Sequence, residues 1–410
     1  MKKIVVFGAG NIGRSLVGQL FSRAGYEVVF VDVFDEIVNA LNEKRRYRIE
    51  VKDEKPETIW VENVRAVNGK APEKVAQEIA TADIMATSVG VDNLKYIYGN
   101  IAKGLSKRRE LKNGPIDVII CENVRNASAL FKEELPKYLP RGYPLGVMVG
   151  LVETSIGKMV PITSEEQKKA DPLLVVAEAY NKIIADRKGF KRGVPKVEGL
   201  EAKENMTAYV DLKLFVHNMG HAVTAYLGYI MDPQMTYIWE AIGNTQIHRA
   251  VECAMWESGR ALVLEYPNEF NEENIKAHID DLLRRFNNKA LGDTIYRVGR
   301  DLPRKLSRND RLIGALLLDT KHSVRAPFTS LGVAAATLFR ARDETGSLYP
   351  KDKVFAEETY PQGIDLVLKD VCGLNFEKER IIIEGVKKAY DAIARDPKNW
   401  FRLIYDIRVI

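Results

Sequence analysis

Near the N-terminus the run KIVVFGAGNIGRS passes from an apolar strand into a helix through Gly8, Gly10 and Gly13. EVVFVDV follows, with Asp32 near its end, 19 residues beyond Gly13. A G-x-G-x-x-G spacing between strand and helix, with an acid at the end of the next strand, predicts the first βαβ unit of a doubly wound parallel sheet. Each glycine has its own reason. Gly8 permits the tight turn, Gly10 lets backbone approach a pyrophosphate, and Gly13 lets the helix pack closely on the sheet. The free N–H groups and positive dipole end of that helix favour an anion without any lysine, which nominates Gly8, Ala9, Gly10, Asn11, Ile12 and Gly13 as cofactor contacts. Asp32 would accept hydrogen bonds from ribose hydroxyls and repel a 2′-phosphate, and no arginine follows it in VDVFDEIV. NAD is therefore expected over NADP.

A chain of 410 residues exceeds the size at which one core keeps growing, so two domains are expected. Up to about residue 155 strands (KIVVFG, EVVFVDV, DIMATSVG, IDVIICEN, MVGLVE) alternate with helical stretches, which argues for a mostly parallel sheet with helices on both faces. YRIEVKD and TIWVENVRAV read as a β-hairpin insertion at the sheet's edge. Between about 156 and 199, PITSEEQKKADP and DRKGFKRGVPKVEG read as loops around a short strand in LLVVAEAY. Strands almost vanish after residue 200, where long amphipathic helices such as IHRAVECAMWESGRALVLEY and ERIIIEGVKKAYDAIARD follow. The expected fold is thus an α/β Rossmann-type sheet domain, 1–195, followed by a mainly α-helical domain, 196–410.

Composition excludes several classes. The net charge of +5 is spread along the chain, and KGLSKRRELK reads as a solvated helix face, so nucleic acid is not an expected partner. Three cysteines are too few and scattered for a disulfide framework or a Cys-based zinc site, and a reducing cytoplasm fits. No signal-like h-region is evident, and no apolar run reaches the roughly 18 to 20 residues that span a bilayer. A soluble protein is expected; the sequence is silent on oligomeric state.

Chemistry enters with KLFVHNMGHAVTAYLG. Lys213, Asn218 and His221 stand at relative positions 0, 5 and 8, which at about 100° per residue project at about 0°, 140° and 80° on an α-helix. A lysine buried beside a cofactor loses proton affinity and can act as a general base near neutral pH, while an asparagine can donate to an oxygen becoming an alkoxide. His217 and His221 share the i, i+4 spacing of two zinc ligands, but HNMGH lacks the glutamate of H-E-x-x-H and no third ligand cluster follows. No metal is expected.

K-x-x-x-x-N-x-x-H followed by A-x-T-A-Y-L-G resembles the signature of the polyol-specific long-chain dehydrogenases, the mannitol dehydrogenase family. FGAGNIGR, DIMATSVG, CENVR and VGRDLPRKLSRNDRLI agree with it, and the resemblance runs from Met1 to about Arg340. It implies a metal-independent, NAD-dependent oxidoreductase in which Lys213 is the general acid/base, Asn218 and Asn123 stabilise the oxyanion and His221 orients the substrate. Ser88 and Val89, in DIMATSVG, become further cofactor contacts. The implied reaction interconverts a polyol phosphate and a ketose phosphate, with D-mannitol 1-phosphate and D-fructose 6-phosphate leading. The alternatives are an unphosphorylated polyol, a sugar acid of the tagaturonate or fructuronate type, or a non-catalytic sensor of NAD or a sugar phosphate.

Phosphate recognition turns on YRVGRDLPRKLSRNDR. Arg297, Arg300, Arg304, Lys305, Arg308 and Arg311 fall within it, and arginine's planar fork suits phosphate; Arg297, Arg300, Arg304, Lys305 and Arg311 are the candidates carried forward. The bland reading is a basic stretch paired with acids such as Asp301 and Asp310. Lys321 and His322 are weaker candidates. The chain departs from the family's phosphate-specific members where they share D-S-x-V-D-R-I-V-P: here ETSIGKMVP places Gly157 and Lys158 where they carry an aspartate and an arginine. Beyond Arg340 the tail reads as extra helix outside the resemblance.

Overall fold

The computed structural model describes residues 1–53, 55–161 and 165–400. The chain divides into two compact units, Met1–Val210 and Asp211–Ile410.

In the first unit the strands are β1 (Lys3–Phe7), β2 (Glu27–Asp32), β3 (Arg46–Val51), β4 (Glu57–Glu62), β5 (Val64–Asn68), β6 (Ile84–Thr87), β7 (Ile116–Ile120), β8 (Val149–Ser155), β9 (Val175–Ala177), β10 (Ile183–Asp186) and β11 (Leu200–Lys203). The main sheet runs β11-β10-β8-β7-β6-β1-β2-β5, parallel from β5 to β8, with β10 antiparallel to β8. Strand order reverses between β1 and β6, the switch point at which open α/β sheets bind ligands beyond their C-terminal strand ends. Burial explains the unbroken apolar run of β1. Ile4 and Val6 belong to the core on one face, with Val28 and Phe30 of β2, while Val5 and Phe7 join Val29 and Val31 on the other. A parallel sheet covered on both faces needs such runs.

Three local expectations change. TIWVENVRAV is two strands: β4 pairs with β3 as a hairpin, whereas β5 is the parallel edge strand beside β2. A left-handed Asn63, φ 62°, turns the chain between them, and the hairpin joins β9 in a separate three-stranded sheet. Glu165–Ala170 is helical where a loop was expected, and Ile162–Ser164 of that stretch lie outside the described residues. The division between units also falls after residue 195, because β11 pairs with β10 and so stays with the first unit.

The second unit begins inside a helical run, Met206–Met231. Its last part, Met219–Met231, is buried nearly all round, as expected of a helix apolar on every face. Thr245–Glu265, Pro327–Thr337, Ile238–Gly243 and Ile295–Gly299 pack around it, and Arg380–Arg395 packs on Pro327–Thr337. Among the described residues no helix is long and apolar enough to cross a membrane.

Candidate active site

At the C-terminal end of β1 the three glycines meet three different surroundings. A Cβ on Gly8, which has φ +95°, would stand 2.6 Å from Ser88 O, and one on Gly13 would stand 2.0 Å from Gly8 O. Gly10 meets nothing within 4 Å, and it is exposed with Asn11. Packing requires the outer two glycines; open space at the middle one suits backbone approach to a pyrophosphate. Asp32 braces this turn, its Oδ2 accepting from Ala9 N–H at 2.7 Å and its Oδ1 from Val33 N–H at 2.7 Å. Behind the turn, buried Arg14 donates from Nε to Ala9 O at 2.6 Å. The cradle therefore fits a dinucleotide.

Ser88 and Val89 follow β6 on the same edge, and Asn123 is exposed beyond β7. Val89 N–H donates to Glu122 Oε1 at 2.9 Å, so that amide is already engaged. Lys158, at the family's variable stretch, is buried with its Nζ 3.4 Å from Asn181 Oδ1.

In the second unit the backbone itself brings Lys213 and Asn218 closer to one face. From Lys213 to Asn218 the helix widens to a π turn, and Met219 N–H reaches Leu214 O, five residues back. Such wider winding narrows the α-helical projection of about 140° between Lys213 and Asn218. Burial pushes the Lys213 ammonium down to about 8, with the Arg311 charge adding to the fall. As a whole residue it keeps partial exposure, as a group that exchanges protons with a ligand must.

His221 stacks on Phe286, ring centroids 4.7 Å apart and planes 8° apart, and its Nε2 lies 3.0 Å from Asp293 Oδ2. The other oxygen of Asp293 accepts from Arg297 Nε at 2.7 Å. Burial alone would raise the Asp293 carboxyl, but His221 and Arg297 outweigh it and hold it below the usual range. His217 is buried beside Phe286, and burial, then the Arg285 charge, drives its proton off. Among the described residues no group of three or more His, Cys, Asp and Glu could hold a metal ion.

The basic run is largely neutralised by acids inside and outside it. Arg297 pairs with Asp293, Arg304 with Asp301 and Asp310, Arg308 with Glu379, and Arg311 with Asp310 at 2.7 Å. Arg300 lies over the rings of Tyr296 and Tyr349. Lys305 is buried, donates to Val298 O and is pushed well below its usual range by burial, then by Arg311. Arg311 is the cation of this run whose charge is felt at Lys213. Lys321 and His322 both pair with Glu265.

A cavity of about 1280 Å³ lies elsewhere in this unit, bordered by Cys253, Trp256, Arg260 and Phe328. None of the nominated residues lines it, so the chemistry is assigned to the Lys213 helix on side-chain geometry. Sequence reasoning missed two site residues, Glu122 and Asp293. Glu122 sits inside the quoted CENVR without an assigned part, and Asp293 meets His221 only through the fold, 72 positions away.

A dinucleotide-type cradle followed by a helical unit carrying a proton-poised lysine defines a two-domain oxidoreductase. Residues 2–199 match the mannitol dehydrogenase Rossmann domain and residues 205–394 the mannitol dehydrogenase C-terminal domain, and the chain belongs to the mannitol dehydrogenase family. It is 38% identical over 338 residues, 82% of this chain and 85% of the relative, to a protein of Brevibacillus brevis named mannitol-1-phosphate 5-dehydrogenase. A protein of the same name from Caldanaerobacter subterraneus subsp. tengcongensis is 33% identical over 392 residues, 95% of this chain and 98% of the relative. Among solved structures, Pseudomonas fluorescens mannitol 2-dehydrogenase in ternary complex with NAD and D-mannitol has a TM-score of 0.72 at 15% identity, covering 99% of this chain and 94% of that one. A D-sorbitol dehydrogenase in substrate-free form has 0.74 at 16%, covering 97% and 94%. These two likenesses concern the fold. The family match continues past Arg340 to residue 394, so the helical tail is family structure and not an addition.

Proposed function

We propose that the protein is an NAD-dependent dehydrogenase interconverting a polyol phosphate and a ketose phosphate, with D-mannitol 1-phosphate and D-fructose 6-phosphate as the first pair. The observation that carries this reading is Lys213, an ammonium lowered to about 8 on a π turn that narrows its angle to Asn218, in a chain 33% and 38% identical to two proteins named for that substrate. NAD is favoured over NADP because Asp32 is followed by Val33, Phe34 and Asp35, with no cation to receive a 2′-phosphate.

When bound, the nicotinamide supplies the hydride acceptor or donor. Neutral Lys213 takes the proton from the reacting C–OH, and Asn218 donates to the oxygen as it gains charge. His221, held by Phe286 and Asp293, orients the neighbouring hydroxyl groups. Reduction runs the same proton backward, from charged Lys213 to the ketose oxygen. Arg311 is the favoured anchor for the substrate's anion, since it is the cation of the run whose charge is felt at Lys213, and Asp310 holds it in place as Asp293 and Asp301 hold Arg297 and Arg304. A cytoplasmic location is part of this reading and suits three free cysteines.

Gly157 and Lys158 favour keeping a sugar-acid reductase as the second reading, because an arginine fork serves a carboxylate almost as well as a phosphate. The test is NADH oxidation by the purified protein with fructose 6-phosphate, fructose and tagaturonate side by side. Turnover confined to fructose 6-phosphate is the expected result. Turnover of tagaturonate alone would move the assignment to the sugar acid, and NADH binding without turnover of any of them would favour a sensor.

A further inference from the structure

The CENVR stretch carries a buried acid to which the proposed reaction gives no part. Glu122 follows β7 and is 7% exposed. Its two oxygens accept from successive backbone amides of the turn after β6, Oε1 from Val89 N–H and Oε2 from Gly90 N–H, both at 2.9 Å. On its other side the same turn is fastened to β1 and the glycine turn. Ser88 N–H donates to Phe7 O at 2.8 Å, and Ser88 Oγ lies 3.2 Å from Gly8 O. The Ser88–Gly90 turn is thus wedged between Glu122 and Gly8, and it borders the β1/β6 switch point where a ligand enters such a sheet.

We propose that Glu122 is a positioning residue for the cofactor, holding the Ser88–Gly90 turn in the placement that keeps the dinucleotide cradle beside Gly8–Gly13 open. Two adjacent amide donors need two acceptors, and a carboxylate offers both in one rigid group through charge-assisted bonds. Asn93 meets the turn's carbonyls, Val89 O from Nδ2 and Gly90 O from N–H, both at 2.9 Å, which leaves the two amides to Glu122, and Gly90 at φ +85° gives that conformation no intrinsic preference over its alternatives. Without the carboxylate both amides turn to water, and the wall of the cradle loses its fixed position. The inference rests on the dinucleotide cofactor proposed above and is independent of which polyol reacts.

The test is Glu122→Gln in the full-length protein, which keeps the side-chain shape, offers one acceptor and sets an NH₂ group against an N–H. NADH affinity is read by fluorescence titration without substrate, beside steady-state kinetics and a melting curve. The dissociation constant should rise about tenfold, the KM for NAD should rise by the same factor, and kcat at saturating NAD should stay within about twofold. Gly90→Ala strains the same turn without touching the carboxylate, and it should give the same split should Glu122→Gln fold poorly. Wild-type NADH affinity in folded Glu122→Gln, or in folded Gly90→Ala should the first variant not fold, overturns the proposal, even with a lowered melting temperature. A wrong polyol assignment would instead show as a wild-type protein that binds NADH yet turns over none of the three substrates.

Discussion

At the cofactor end of the first unit, charged side chains hold backbone. Asp32 and Glu122 accept from amides, and Arg14 donates to a carbonyl. Around the Lys213 helix of the second unit, charged side chains hold one another: Asp293 lies between His221 and Arg297, and Asp310 is shared by Arg304 and Arg311. The difference teaches how each region does its work. A dinucleotide cradle is a backbone shape that side chains keep rigid, whereas the proton transfer proposed for Lys213 rests first on burial and then on the Arg311 charge, within a frame of paired charges.

The largest expected effect tests the second half of that comparison. Lys213→Met should lower kcat by about 10³-fold, within the range for loss of a general acid/base, and leave NADH affinity at the wild-type value. Because burial and Arg311 lower the Lys213 ammonium to about 8, polyol oxidation, which needs the neutral amine, should rise with pH through about 8, and ketose reduction should fall over the same range. Arg311→Gln removes a positive neighbour, so both limbs should move to higher pH. A pH profile unmoved in Arg311→Gln would sever the two residues.

The reciprocal variant belongs to the first unit. Asp32→Ala leaves the Ala9 amide without its acceptor and removes the expected ribose contact. NAD affinity should fall by one to two orders of magnitude, about 1.4 kcal/mol per factor of ten, with kcat at saturating NAD nearly kept. A loss of kcat without loss of affinity would erase the contrast between the units. Asp293→Asn should act more gently on the other side. It keeps the shape but removes the charge that lies between His221 and Arg297, so kcat/KM should fall about tenfold at unchanged NADH affinity, as measured by the same titration.

Legibility followed the same division. Gly8, Gly10, Gly13 and Asp32 were readable because backbone demands at a strand end fix residue types at fixed short spacings, and the sheet built on them is mostly parallel as expected. Lys213, Asn218 and His221 were readable as a motif, yet their α-helical projection was too wide, because periodicity does not announce a π turn. The five-residue interval between Lys213 and Asn218 was the available signal. The basic run misled in one respect: Arg297, Arg304, Arg308 and Arg311 look like an open anion site in sequence, and their acids include Asp293 and Glu379, four and 71 positions away. β5 was merged with the hairpin because alternation in TIWVENVRAV continues through the turn at Asn63.

The smallest effect concerns two neighbouring acids buried in the second unit. Asp319 has no solvent exposure, and burial, then the Glu257 charge, raises its carboxyl well above the usual range. Glu257 itself is raised to about 7 by burial, although its oxygens accept from Phe328 and Thr329 N–H at 3.0 and 2.8 Å. A carboxyl that holds its proton more tightly folded than unfolded contributes most stability below its unfolded value, about 3.9 for aspartate and 4.3 for glutamate, and that contribution is lost as pH rises toward the folded value. Asp319→Asn removes the ionisation and keeps the shape. Its melting temperature should match wild type near pH 4 and exceed it at pH 8 by a few degrees, the shift that about 1 kcal/mol produces in a unit of this size. Equal melting temperatures at pH 8 would mean that water or a cation reaches Asp319.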